Sequence, residues 1–257
     1  MISIITITYN NYEELLKTIN SIPNSEGIEK IVINGGDCTN TENYLKKSSI
    51  KYISESDAGI ADAFNKGVKI ASGDYIMFLN SGDILLDKNY PLNAVSVLKE
   101  KEDIDFVHSN LLLADLTGIE IIMKPTFSNL GRGMPFLHPT MIVKKVLFNK
   151  IGMFDTKYKI AMDFDWISKL IKNNSKGYYI NGEPVVLMDG GGKSVAQEKL
   201  AIKECFSILK KNDLLTFENY VGYIIRYSLF FIRNFLLKIG LVKLLKKLKK
   251  MKYSLQL

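Results

Sequence analysis

The sequence predicts an α/β protein: a central, mostly parallel sheet with flanking helices, followed by a basic amphipathic helical tail. Three observations carry that expectation. Ile2–Thr8 and Tyr75–Leu79 are dense apolar runs, the form of strands covered on both faces. Helical periodicities separate successive strands, and a strand–helix–strand–helix–strand order demands parallel crossovers. The charge is also uneven. Asn219–Leu257 holds nine Lys or Arg and no Asp or Glu, leaving 25 basic against 27 acidic residues in 1–218. The net +7 therefore belongs to the tail, while the body is slightly acidic.

In chain order, Ile2–Thr8 (ISIITIT) is a strand by its β-branched density and stops at Tyr9-Asn10-Asn11. Glu13–Ile22 is a helix with Leu15, Ile19 and Ile22 on one face and Pro23 past its end. The second strand, Ile28–Ile33, opens into Asn34-Gly35-Gly36-Asp37. Paired glycines there serve a tight turn or let the backbone approach a ligand. A short helix over Thr41–Lys47 and a third strand over Ile50–Ser54 follow. Ser56, Asp57 and Gly59 punctuate the chain before a helix whose Ala61, Phe64, Val68 and Ala71 share a face. Asp62 and Asn65 lie on other faces, three residues apart near the helix start. Ser72-Gly73-Asp74 ends that helix, and Tyr75–Leu79 discharges into Asn80-Ser81-Gly82-Asp83. A carboxylate at the carboxyl end of a buried parallel strand stands where open α/β sheets hold ligands.

Beyond Asp83 the pattern loosens. A helix is expected over Leu92–Lys101, strands over Ile104–Ser109 and Ile119–Lys124, and a mobile, Gly-rich loop over Phe127–Phe136. His138-Pro139-Thr140 precedes the short strand Met141–Val143, a helix over Lys144–Lys150 and a loop over Gly152–Ala161. The helix starting at Met162 carries Asp163 and Asp165 in its first turn and turns Trp166, Leu170 and Ile171 inward. Tyr178–Ile180 and Pro184–Met188 are strand candidates, Gly190–Gly192 a flexible joint, and Val195–Lys211 an amphipathic helix.

Five stretches in this order resemble the family 2 glycosyltransferases of bacterial surface-polysaccharide assembly. They are TITYNN (6–11), the glycine turn of 34–41, SESDAGIADAFNKG (54–67), GDYIMFLNSGD (73–83) and MDFDW (162–166). The resemblance covers residues 1–210 and implies a GT-A fold, with 1–215 as the transferase domain and 216–257 as the tail. It also implies that Thr8, Tyr9 and Asn34 hold the base and ribose of a nucleotide-sugar donor. Asn34 stands where the family has an aspartate that accepts from uracil; its amide oxygen can still accept. Asp57, Asp62 and Asn65 match the helix bordering the nucleotide. The alternatives are helix capping for Asp57 and a solvated face for Asp62 and Asn65.

By the same resemblance, Asn80–Asp83 corresponds to the family's acidic metal motif, with Asp83 its retained carboxylate and Mg²⁺ or Mn²⁺ the expected ion. A divalent cation suits a diphosphate leaving group, and few protein ligands suffice when phosphates supply the rest. An Asx turn ending a strand is the alternative. Asp163 matches the general base, which takes the acceptor hydroxyl's proton during attack on the anomeric carbon. Two acids complementing a helix dipole would look the same in sequence. His138, Asp165 and Trp166 are candidates for the acceptor side, and His138 also suits a structural role.

The tail gives a separate signal. Leu241, Leu244, Leu245, Leu248 and Met251 make an apolar stripe among lysines 243, 246, 247, 249, 250 and 252, the pattern of a helix lying in a membrane interface. Val221–Leu237 is apolar but interrupted by Arg226 and Arg233, whose burial in lipid would cost several kcal/mol, so an in-plane helix is expected. Lysines near anionic lipid contribute about 1 kcal/mol each. A helix pair packing on the body, or a dimer partner, is the alternative. Nucleic acid is not expected, because no base-stacking platform accompanies the basic run. Cys38 and Cys205 are too few for a disulfide framework and lack zinc spacing, pointing to a reduced compartment. Met1 leads into a strand without a basic n-region, so no signal peptide is expected.

The expectation is therefore an inverting transferase peripheral to the cytoplasmic membrane face, using a UDP-sugar and a lipid-linked glycan acceptor; an oligomer is compatible with it. A sugar-nucleotide pyrophosphorylase should have a Gly-rich basic phosphate loop near the amino terminus, and TITYNN has neither Gly nor Lys. A catalytically silent glycan-binding module is the other rival, since the metal motif keeps a single carboxylate.

Overall fold

The computed structural model describes residues 1–114, 120–126, 129–192 and 196–241. Strands β1 (Ile2–Thr8), β2 (Ile28–Asn34), β3 (Lys51–Ser54) and β4 (Tyr75–Phe78) alternate with helices α1 (Tyr12–Ser21), α2 (Thr39–Lys47) and α3 (Ile60–Ile70). There follow β5 (Ile84–Leu85), α4 (Tyr90–Glu100), β6 (Phe106–His108), β7 (Leu111–Ala114), β8 (Glu120–Met123), β9 (Ile142–Lys144) and α5 (Val146–Lys150). The chain continues through α6 (Met162–Lys172), β10 (Gly177–Tyr179), β11 (Val186–Asp189), α7 (Glu198–Lys211) and α8 (Phe217–Lys238).

The main sheet has the order β10-β6-β9-β4-β1-β2-β3. β3, β2, β1 and β4 run parallel, β9 is antiparallel to both β4 and β6, and β10 is parallel to β6. Alternate residues of the central strands feed two cores. Ile5, Ile31, Ile33, Ile76 and Phe78 pack with Phe64, Val68, Trp166 and Ile208 of α3, α6 and α7. Ile4, Val32 and Met77 pack on the other side with Leu15, Ile19, Leu45 and Tyr90 of α1, α2 and α4. Burial on both faces is why these strands read as apolar runs. A second sheet, β5-β11-β7-β8, caps the same end of the molecule as the β4 tip. Its strands β5 and β7 were not expected, because two and four residues are too short to show a period.

One expectation is corrected in the carboxyl-terminal third. The described part of the Gly-rich segment, 129–136, is not a free loop. Its 3-10 turn Leu130–Arg132 wedges under α8, with Asn129 Nδ2 donating to Glu218 O at 3.0 Å. Gly131 is required there, since a Cβ would collide with the backbone carbonyl of Asn219. Arg226 and Arg233 turn toward the body: Arg233 pairs with Glu198 through both guanidinium nitrogens, and Arg226 lies beside Cys205. The opposite face of α8 leaves Val221, Ile225, Leu229, Ile232 and Phe235 exposed. No helix among the described residues is long and apolar enough to cross a membrane. The stripe through Leu244, Leu245, Leu248 and Met251, with lysines 243–252, lies outside the described residues.

Candidate active site

The parallel register sets Thr8 opposite Asn34 and Asn34 opposite Ser54, so three strands end level. Thr8 is buried, and its Oγ1 has no hydrogen-bond partner; Tyr9 beside it is 66% exposed. Asn10, in the left-handed region at φ 52°, accepts from the backbone N–H groups of Asp37 (2.9 Å) and Cys38 (3.0 Å). Asn34 is fully buried. Its Nδ2 donates to Gly36 O (3.1 Å) and Ser54 Oγ (2.9 Å), while its Oδ1 accepts from Gly36 N (3.2 Å). The donor that separates an amide from a carboxylate is thus used to shape the glycine turn. At Gly35 a Cβ would collide with the Asp57 carboxylate, which also accepts from Gly59 N at 2.9 Å. Asp57 therefore caps the entry to α3 and lies against the glycine turn at once.

Asp62 lies on a partly solvated face, whereas Asn65 is buried. Asp62 Oδ2 accepts from Ala58 N at 3.0 Å, which holds its carboxyl below the usual range, and pairs with Lys66 at 3.5 Å. Asn65 is 8% exposed and is bonded reciprocally to the Phe154 backbone, donating to its carbonyl (2.9 Å) and accepting from its N–H (3.0 Å). This clamp joins α3 to the loop that leads into α6. The same two regions meet in a cavity of about 230 Å³ lined by Ala58, Gly59, Tyr158, Lys159, Ile160 and Gln197.

At the β4 tip, Asp83 Oδ2 accepts from Asn80 N (3.0 Å) and Asp83 N donates to Asn80 O (2.9 Å). Thr18 of α1 ties the turn down, donating to Asn80 O and accepting from Gly82 N. The turn is therefore closed by the Asp83 carboxylate and by Thr18, not by an Asx turn on Asn80. Asp83 is 4% exposed, and burial pushes its carboxyl up to about 7, against the Asn80 N–H and with help from Asp189 at the end of β11. Asn80 Oδ1 is buried without a partner. An uncompensated carboxylate and an orphaned carbonyl oxygen suit a hard divalent cation. No group of three His, Cys, Asp or Glu that could hold a metal exists among the described residues, so phosphate and water oxygens would complete its shell.

Asp163, the second residue of α6, is half-buried and accepts from Phe164 N at 2.7 Å. Burial pushes it up to about 6, and the Glu204 carboxylate of α7 adds to the rise. The other acceptor-side candidates sit elsewhere. Asp165 is fully buried and pairs with Lys169 (2.7 Å) and Lys211 (3.6 Å), an ion-pair network rather than a free dipole complement. Trp166 is 2% exposed, stacks on Phe148 at 4.5 Å and donates its indole N–H to Gly152 O, so it is a core residue. His138 stacks on Phe78 at 5.4 Å, and burial pushes it down to about 4, leaving it neutral at pH 7. Three residues escaped the sequence reading: Asp189, Glu204 and Arg226. Asp189 and Glu204 lay inside a strand end and a helix with no local motif, and Arg226 read only as an interruption of an apolar run.

Comparison with known proteins follows the same outline. Residues 3–109 match the family described as Glycosyl transferase family 2. An uncharacterized glycosyltransferase of Mycobacterium tuberculosis is 29% identical over 176 residues, 65% of this chain and 67% of that protein. Staphylococcus aureus TarS (residues 1–349), solved in complex with UDP-GlcNAc, superposes with a TM-score of 0.65 at 17% identity over 82% of this chain and 65% of that one. A mannosyltransferase of Pyrobaculum calidifontis, solved with GDP-Man and Mn²⁺, superposes with a TM-score of 0.59 at 14% identity, covering 88% and 73%.

Proposed function

From the match of residues 3–109 to glycosyl transferase family 2 and the superposition on TarS, we propose that this chain is a glycosyltransferase of that family and moves one sugar, with inversion, from a nucleotide diphosphate donor to a hydroxyl. The observation that carries the reading is Asp163: a half-buried carboxylate opening a helix, with a proton affinity near neutrality. A base held near its operating pH is ionised enough to act and basic enough to take a proton. The acceptor O–H gives its proton to the Asp163 carboxylate as the oxygen attacks the anomeric carbon. The donor's base and ribose sit at the ends of β1 and β2, against Thr8, Tyr9, Asn34 and Asp57. Asp62 and Asn65 support that wall through α3.

Asp83 and Asn80 Oδ1 would hold a Mg²⁺ or Mn²⁺ ion, which when bound supplies charge neutralisation for the departing diphosphate. The uridine assignment of the donor is supported by the TarS superposition with UDP-GlcNAc, and divalent-metal use by the mannosyltransferase. Residues 216–257 form a tail that reaches an anionic membrane surface on the cytoplasmic side, bringing the site to a lipid-linked glycan of cell-surface assembly. The exposed apolar face of α8 and the lysines beyond it support this. The transferase unit is 1–215, with α8 docked on it through its start and through Arg233.

A thermal-shift screen of nucleotide sugars, with and without Mn²⁺, tests the donor reading. Stabilisation by one nucleotide family, enlarged by Mn²⁺, is expected; no response to any nucleotide sugar sinks it. Sedimentation with phosphatidylglycerol vesicles tests the tail: chain ending at Leu241 should lose most of the binding of the full chain. Equal binding by both would remove the lysines from the anchor.

A further inference from the structure

Glu204 does more than add its charge near Asp163. Its carboxylate, carried on α7, accepts three backbone hydrogen bonds: from Lys159 N at 3.0 Å, Ile160 N at 3.0 Å and Ala161 N at 2.9 Å. These are the last three residues before α6, and Asp163 is the second residue of that helix. Ala161 stands at the cap position and brings no side-chain acceptor of its own. The fixing of this helix entry is therefore long-range, from a carboxylate 43 residues away. Charge-assisted bonds to a carboxylate are about twice as strong as neutral ones, and three of them leave the segment little freedom. Lys159 and Ile160 also line the cavity shared with the start of α3.

We propose that Glu204 is the positioning residue of Asp163, fixing through the Lys159–Ala161 backbone where that carboxylate stands. The proposal rests on Asp163 being the base. A second consequence follows from charge. Glu204 and Cys205 face this region from α7, and Arg226 of α8 reaches Cys205. The negative Glu204 opposes ionisation of Asp163, adding to the effect of its burial. Helix α8 braces α7 through Arg226 beside Cys205, the residue after Glu204, and through Arg233 on Glu198, six residues before it.

The test uses the full chain labelled with ¹³C at aspartate carboxyls, the Asp163 signal being assigned with Asp163→Asn. Wild-type protein should titrate near pH 6 at that carbon. Glu204→Gln keeps an acceptor oxygen but removes the charge, so its midpoint should fall by at least about half a pH unit. Glu204→Asp keeps the charge and shortens the reach, so its midpoint should hold while turnover falls. Turnover on the nucleotide sugar found by the screen should drop about tenfold or more in Glu204→Gln, the scale of sub-ångström misplacement of a reacting group, with donor affinity unchanged. A folded Glu204→Gln protein with wild-type midpoint and turnover overturns the proposal. Should that variant fail to fold, amide exchange decides: Lys159, Ile160 and Ala161 should exchange faster in Glu204→Asp than in wild type, and equal rates overturn it. Normal turnover in Asp163→Asn would instead sink the base reading itself, whatever Glu204 does.

Discussion

Asp83 and Asp163 are both enclosed carboxylates with raised proton affinity, yet they are assembled in opposite ways. Asp83 is a local product: a strand ends, four residues turn, and the backbone N–H of Asn80 meets the carboxylate three residues on. Asp163 is a long-range product. The loop before it is held by Glu204 from α7 and clamped to α3 through Phe154 and Asn65. The Asp83 carboxylate, the donor arm, is thus closed by a sequence neighbour, with Thr18 of α1 pinning the same turn from about 60 residues away, whereas the Asp163 entry, the base arm, is held by contacts between segments 40 to 90 residues apart. Substitutions should respond accordingly: changes in the donor arm alter binding, and changes around the base arm alter turnover and stability together.

The sharpest test of that contrast is Asp163→Asn. It should cost about a hundredfold or more in turnover while nucleotide affinity measured by calorimetry stays within error, because the acceptor's proton plays no part in holding the donor. Near-normal turnover would remove the chemistry from the base arm. Asp165→Asn, two residues on, should behave differently despite the shared helix turn. It strips the charge from a fully buried carboxylate that pairs with Lys169 and Lys211, so a stability loss of about 3 kcal/mol is expected. Denaturant unfolding measures this, and a loss below about 1 kcal/mol would show the network to be solvated.

Asn65→Ala tests whether the two arms are joined. Removing the amide leaves the buried N–H and C=O of Phe154 unpaired, a cost of about 2 kcal/mol, with turnover falling more than donor affinity. If donor affinity falls instead and stability does not, Asn65 belongs to the nucleotide site and not to the clamp. Asp83→Ala should act on the donor arm alone, lowering Mn²⁺-dependent nucleotide affinity by about tenfold with a small change in melting temperature. Unchanged Mn²⁺ dependence would take the metal away from this turn.

The smallest expected effect is a pH signature. The folded Asp163 carboxyl, at about 6, lies above its unfolded value, so the folded state holds a proton more firmly between the two. Its contribution is present below the unfolded value and lost as pH rises through about 6. Asp163→Asn, which cannot ionise, should therefore melt slightly above wild type at pH 8 and level with it at pH 4. Wild-type turnover should fall as pH drops below about 6. Melting curves that differ by the same amount at both pH values would mean that burial does not set this group's titration.

The sequence by itself determined the first half of the main sheet. Dense apolar runs at Ile2–Thr8 and Tyr75–Leu79 can only be strands with cover on both faces, and glycine and Asx residues mark their carboxyl ends. The physics there is local: backbone preference, alternation and turn chemistry act over a few residues, so the strand ends and turns that carry Thr8, Asn34, Asp57 and Asp83 could be located in advance. The helix start that carries Asp163 was legible too. Only the tertiary structure decided what surrounds it. Asp165 and Trp166 share its helix turn, yet 100° of rotation per residue sends one to a buried ion pair and the other into the core. Asn65 read as bordering a nucleotide or facing solvent, and only the packing of the Phe154 loop made it a clamp; Glu204 and Arg226 carried no signal until α7 and α8 packed. Those roles depend on which distant segments meet, and no local pattern encodes that.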